Sequence, residues 1–309
     1  LCRLEAKSTP SRIYSGLSRR LGALSVASSL VLSPMVCTGA AVSTTSSSVS
    51  IVLSSAELTE GITRIDGEAL RLFTKARQCE SDGLYKDAQE FYEQVVQAEP
   101  DFIFGWANLG NVLTQQGNLK QGLLCYRKAL SLRPSGEQLS VILLNTASTE
   151  LSLGMADQAV RDIGLAEKVV GPTPLILTNK AVALTQGQKW QEGVELFEKV
   201  FKTSEKDALP WWLRYSMALL ETNRGTESVA YLQRTLQRFP YETECKAFAT
   251  ALYTSLGSKT EASRYWKQMK PEEQVQYSDA AFLEDTLKWG PEARKAMENF
   301  KSSKYAKAQ

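Results

Sequence analysis

From Asp66 onward, apolar residues recur every three or four positions, the spacing that lays a stripe along one face of an α-helix. Leu72, Ala76 and Cys79 share one stripe, Ala88, Tyr92 and Val95 share the next, and Gly83 to Tyr85 turn the chain between them. The same order of helix, short turn and helix returns along the chain. Pro100 and Pro134, each closing a pair, lie 34 residues apart. Alternating runs of β-branched residues are missing after Ser55, whereas Ala, Leu, Gln, Glu and Lys recur at helical spacing. The pattern predicts an all-α chain of helix pairs. Each pair is too small to bury its own apolar face and depends on stacking against its neighbours.

The second pair carries the most detailed signature: Trp106, Leu109, Gly110, Gly117, Tyr126, Ala129 and Pro134, in the order W-x2-L-G…G…Y…A…P. A glycine on the first helix lets the second approach closely, Tyr126 and Ala129 fill the contact, and Pro134 stops the helix. This stretch resembles a tetratricopeptide repeat, and the resemblance implies a right-handed α–α superhelix. Six such units are predicted, at 66–102, 103–136, 140–173, 174–208, 209–242 and 243–273. The spacing slips by three residues at Pro134 to Glu137, read as a longer loop, and the fourth and fifth units carry one-residue shifts. Residues 274–309 read as a C-terminal cap and tail. Ser278 is the expected N-cap of a helix through Trp289, and Gly290-Pro291 opens another containing Ala293, Met297 and Phe300.

Upstream, the chain reads differently. Residues 1–20 are rich in Ser and Arg and poor in acid; Arg19-Arg20 precedes an apolar run to Val36 that is broken by Pro34, and small residues follow from Gly39 to Ser43. That order of charged, apolar and small residues is a signal segment, so 1–43 is expected to be a targeting sequence cleaved near Ala40 to Ser43. A transit-like stretch ahead of a signal resembles the bipartite presequence of thylakoid-lumen proteins, and Arg19-Arg20 resembles a twin-arginine signal. An uncleaved membrane anchor and a plain secretory signal stay open, although Ser25, Ser28, Ser29, Ser33 and Pro34 suit an anchor poorly. Residues 44–65 read as a Ser/Thr-rich linker.

Charge changes this picture little. The 309 residues carry 36 basic and 34 acidic side chains; five of the former and one of the latter fall within 1–43, leaving 31 and 33 in the body. Such a balance gives no electrostatic footprint for nucleic acid. The chain has no histidine, which removes the usual general base, the Ser/His and Cys/His nucleophile pairs and the commonest metal ligand. No cysteine pair has CxxC spacing, and no glycine-rich phosphate loop is present. Acid pairs such as Glu192 with Glu195 or Glu284 with Asp285 read as solvated helix surface. The expectation is a protein without catalytic residues, metal, cofactor or small-molecule substrate. Cys79, Cys125 and Cys245 are expected as buried or half-buried thiols, with a disulfide among them left open.

The repeat resemblance implies that the first helix of each pair lines a concave wall. By repeat position, the inward residues include Arg77, Asn108, Asn111, Gln115, Asn145, Ser148, Asn179, Arg214 and Glu221. An amide offers both donor and acceptor, so Asn108, Asn145 and Asn179, equivalent in successive repeats, are expected to grip the main chain of an extended peptide or partner loop. A solvated groove without that role is the alternative. The two Lys of the carboxylate clamp found in some chaperone-binding repeat proteins are absent; Phe73 and Val141 stand among the corresponding places. Adjacent Trp211 and Trp212 point to different helix faces, so at least one is expected to be partly exposed, a candidate anchor for a partner. The presequence, the repeats and the ending Phe282 to Trp289 together are similar to a family of tetratricopeptide-repeat proteins of the chloroplast thylakoid lumen. What this implies is a non-enzymatic adaptor or assembly factor for photosynthetic complexes, with protein or peptide partners and peripheral association with membrane complexes. A constitutive subunit of a larger complex, or an adaptor of another exported or organellar compartment, stays open.

Overall fold

The computed structural model describes residues 61–203, 211–303 and 306. The predicted helix pairs form: α1 (Gly67–Ser81) with α2 (Tyr85–Ala98), α3 (Ile103–Gln115) with α4 (Leu119–Ser131), and α5 (Gly136–Ser152) with α6 (Ala156–Val170). They continue with α7 (Pro174–Gln186) and α8 (Trp190–Thr203), α9 (Trp212–Glu221) and α10 (Gly225–Arg238), and α11 (Thr243–Ser255) and α12 (Lys259–Trp266). Each second helix packs on its own first helix, and those of the first five pairs also pack on the first helix of the following pair; the first helices α3 and α5, α7 and α9, and α9 and α11 also touch. The first helices therefore line one wall of the stack. The close approach inside a pair is visible at Gly110, where a Cβ would lie 2.7 Å from the Tyr126 ring.

Two irregularities of the sequence are resolved by geometry. The three-residue slip does not lengthen a loop: α5 begins at Gly136 and runs 17 residues, so the extra residues extend the helix at its N-terminus. In the first, second, third and sixth pairs a glycine with φ between 76° and 83° makes the turn (Gly83, Gly117, Gly154, Gly257), whereas Gln188 and Asn223 take the left-handed position at 61° and 60° in the fourth and fifth. That is the physical content of the one-residue shifts. Gly187 stands one place early, in the cap of α7 at φ −81°.

The structure corrects the expected ends of the repeat array. Part of the expected linker is docked: Gly61 N–H donates to Leu132 O at 2.8 Å, Ile62 N–H to Asp101 O at 2.8 Å, and Ile103 N–H to Ile62 O at 3.1 Å, so residues 61–62 cross two inter-repeat loops. The targeting segment and residues 44–60 lie outside the described residues, as does 204–210 between the fourth and fifth pairs. At the other end Ser278 closes a helix rather than opening one. α13 (Pro271–Tyr277) starts seven residues earlier, because Pro271 is preset for the first turn and Glu273 accepts from the Lys270 N–H at 2.8 Å. A π-turn at Phe282–Thr286 and the irregular stretch 287–290 lead to α14 (Pro291–Lys301). α14 packs on α11 and on α9, two first helices, so the cap folds back over the wall of the last two repeats.

Candidate partner-binding surface

The asparagines of the expected groove face inward, but they do not stand open. Asn108, Asn111 and Asn179 are 0% exposed and Asn145 is 2% exposed. Three of them interlock: Asn145 Nδ2 donates to Asn111 Oδ1 at 3.0 Å, Asn111 Nδ2 to Asn108 Oδ1 at 3.2 Å, and the Tyr126 hydroxyl to Asn111 Oδ1 at 2.7 Å. Amides that stand at one position of a helix also stand beside the next repeat, and here they are spent on joining α3, α4 and α5. Asn179 is buried with neither amide atom hydrogen-bonded. The expected ladder is thus a structural seam. Arg77, Gln115 and Ser148 keep partial exposure.

Arg214, expected in the groove, is 2% exposed and already engaged with peptide groups. Its Nη1 donates to Lys288 O at 3.2 Å and its Nη2 to Leu287 O at 3.1 Å. Two turns further along α9, the Glu221 carboxylate accepts from Glu292 N–H at 3.0 Å and from Ala293 N–H at 2.9 Å. Those are the first N–H groups of α14, which no intrahelical carbonyl can satisfy. Gly290 has no side chain to cap them and must remain bare, since a Cβ there would lie 2.1 Å from Glu221 Cδ. Burial raises the Glu221 carboxyl, and the two N–H donors work against that rise. Burial also lowers Arg214, while Glu244 opposes. Glu244, which sequence reasoning did not single out, accepts from Trp289 Nε1 at 3.1 Å.

The paired tryptophans are no exposed anchor. Trp211 is 5% and Trp212 1% exposed, because α9 is enclosed from both sides. Trp211 stacks on Phe197 of α8 at 5.2 Å, while Trp212 meets Tyr231 of α10 edge-on at 5.4 Å. Adjacent residues do point to different faces, but in a stack both faces are covered.

A second feature escaped the sequence. Glu150 on α5 is 3% exposed, with Oε1 3.7 Å from Arg127 Nη2 of α4 and Oε2 without a hydrogen-bond partner. Burial, with the charge of Asp162 on α6, raises its carboxyl to about 7; Arg127 and Arg161 pull the other way. No local spacing marks such a residue, which looks like any helix-surface acid. Cys79, Cys125 and Cys245 are free thiols, and burial pushes Cys125 to about 11, so it is inert at neutral pH.

Comparison with known proteins adds to this geometry. A family model described as "Tetratricopeptide repeat" matches residues 103–135, the second pair. No curated protein sequence matches the chain. Among solved structures, a tetratricopeptide repeat protein from Parabacteroides merdae is similar with a TM-score of 0.58 at 20% identity, over 78% of this chain and 95% of that one. PilW, a type IV pilus biogenesis factor, gives 0.58 at 12% identity over 75% of this chain and 100% of its own. The Cut9–Hcn1 hetero-tetramer of the APC/C gives 0.56 at 13% identity over 75%, and there the match spans 42% of that chain. At these identities the likeness concerns architecture. The chain folds as an all-α tetratricopeptide-repeat superhelix.

Proposed function

We propose that this chain is a non-enzymatic protein-interaction scaffold, an adaptor or assembly factor for photosynthetic complexes in the thylakoid lumen, that holds a segment of its partner against the first-helix wall. The observation that carries the interaction reading is the wall's grip on main-chain groups: Arg214 on two carbonyls and Glu221 on two N–H groups. Side chains that satisfy peptide units hold a segment by its main chain, which suits a holding protein. Arg77, Gln115 and Ser148 are the partly exposed members of the wall in the first three repeats, and the partner contact is assigned to them. The compartment rests on the presequence reading, and the photosynthetic partner on the resemblance of the presequence and the ending to the lumenal family.

The test has two arms. Tagged protein is recovered from fractionated cells and its N-terminus read by mass spectrometry; a start between Ala41 and Thr45 in the lumenal fraction supports the compartment, and a chain retaining residues 21–43 elsewhere sinks it. Co-purifying proteins are then compared between wild type and the triple variant Arg77→Ala, Gln115→Ala, Ser148→Ala. Loss of a stoichiometric partner supports the wall. A partner retained in full moves the contact to the outer face, where Leu124 of α4 is 65% exposed and Leu165, Val169 and Val170 of α6 are exposed as well; that outcome is the signature of a constitutive subunit.

A further inference from the structure

The last two repeats hold a peptide already, and it is the chain's own. Residues 287–290 are irregular, Leu287 and Trp289 are buried, and Lys288 between them sits at φ 54°, a conformation that a side chain with a Cβ adopts at a cost. The Leu287 and Lys288 carbonyls and the first two N–H groups of α14 are satisfied by Arg214 and Glu221, more than 70 residues upstream, while the N–H groups of Leu287 and Trp289 donate to the Phe282 and Leu283 carbonyls just before them. Trp289 adds an anchor: its indole donates to Glu244 and its ring meets Phe248 edge-on at 5.8 Å. Beyond it, Ala293, Met297 and Phe300 of α14 line a buried stripe on α11 and α12, where Phe300 meets Trp266.

We propose that the wall of repeats five and six is a peptide-binding site occupied in cis, and that residues 287–301 are a tethered ligand which exchanges with an external segment of the same design. That design is an apolar residue, a tryptophan two places on, a glycine, and then an amphipathic helix whose first N–H groups are bare. Each piece meets a partner: the glycine makes room for Glu221, the bare N–H groups bind its carboxylate, and the tryptophan fills the Glu244–Phe248 pocket. The segment follows the last repeat, so its departure unthreads no repeat helix. The inference goes beyond the scaffold reading, which assigns the partner contact to the first three repeats, by giving repeats five and six a site of their own. Its test uses only this chain's sequence, so it succeeds or fails whether or not a lumenal partner exists.

A fluorescein-labelled synthetic peptide of residues 282–303 is titrated into two full-length chains, wild type and the double variant Trp289→Ala, Gly290→Ala. A tethered segment enjoys an effective concentration of about millimolar, so micromolar peptide does not displace it from wild type. In the double variant the own segment is spoiled and the wall is intact; the peptide is expected to bind at least tenfold more tightly than to wild type, and Glu221→Ala added to that variant is expected to abolish the gain. A folded double variant that binds no better than wild type overturns the proposal. Should circular dichroism show that the double variant does not fold, hydrogen exchange of wild type decides. Amides of 289–300 exchanging at least a hundredfold faster than those of Leu219 and Leu252 indicate a segment that opens by itself, and equal protection makes it a fixed part of the core, which overturns the idea.

Discussion

The carboxyl group of Glu150 lies between α4 and α6 with one oxygen unpartnered, at about 7 against an ordinary value of 4.5. In the folded chain it takes up a proton at higher pH than in the unfolded chain. Its contribution therefore favours the fold as pH falls through about 7 and is lost as pH rises past it. Shifted this far, it should make the fold about 1 kcal/mol more stable at pH 6 than at pH 8. Glu150→Gln should flatten that dependence. Chemical denaturation of both proteins at the two pH values checks this, and a slope that survives in the variant assigns the effect to another group. Asn179 poses a related cost, since a buried amide without partners is worse than an apolar side chain of the same shape.

The turns inside the repeats show how local conformation and sequence can disagree. Four of the six place glycine in the left-handed position, where the missing Cβ removes the steric penalty, while the fourth and fifth place Gln188 and Asn223 there. Asparagine tolerates that region better than glutamine. Gln188→Gly is accordingly expected to stabilise by about 0.5–1 kcal/mol, and Asn223→Gly by less. Melting temperatures of the two variants decide the point; a lower value for Gln188→Gly would mean that its side chain makes a contact worth more than the strain.

Across the whole stack, stability is a sum of neighbouring interfaces, so a change at one end is felt locally before it is felt globally. Residues 61–62 fasten the loops that enter the second and third repeats. A Cβ on Gly61 would lie 2.5 Å from Ile103 Cγ1 and 2.6 Å from Leu132 Cβ, so Gly61→Val should push this strap off. The expected loss is about 1–3 kcal/mol, with the Ile62 and Ile103 amides exchanging faster and α11 unchanged. Unaltered protection at Ile103 would show that the strap carries no load.

The kind, number and order of the repeat helices were legible along the chain because their determinants are local. A 3.6-residue stripe, a turn glycine and a closing proline act within a dozen residues, and Trp106 to Pro134 hold all three. The cap was legible in part: Gly290-Pro291 opens α14 as expected, while Ser278 ends a helix because Pro271 starts one upstream. The fate of the side chains on the first helices was not legible. Position on a helix says which way Asn111, Trp211 or Arg214 points, but whether that direction ends in water depends on what the rest of the chain lays over it. For Arg214 the covering groups are 73 and 74 residues away, and for Asn111 the nearest lie in the next helix and the next repeat. Burial of Glu150 likewise arises where three helices converge. Periodicity fixes the faces of helices, and only the assembled stack decides which faces remain surfaces.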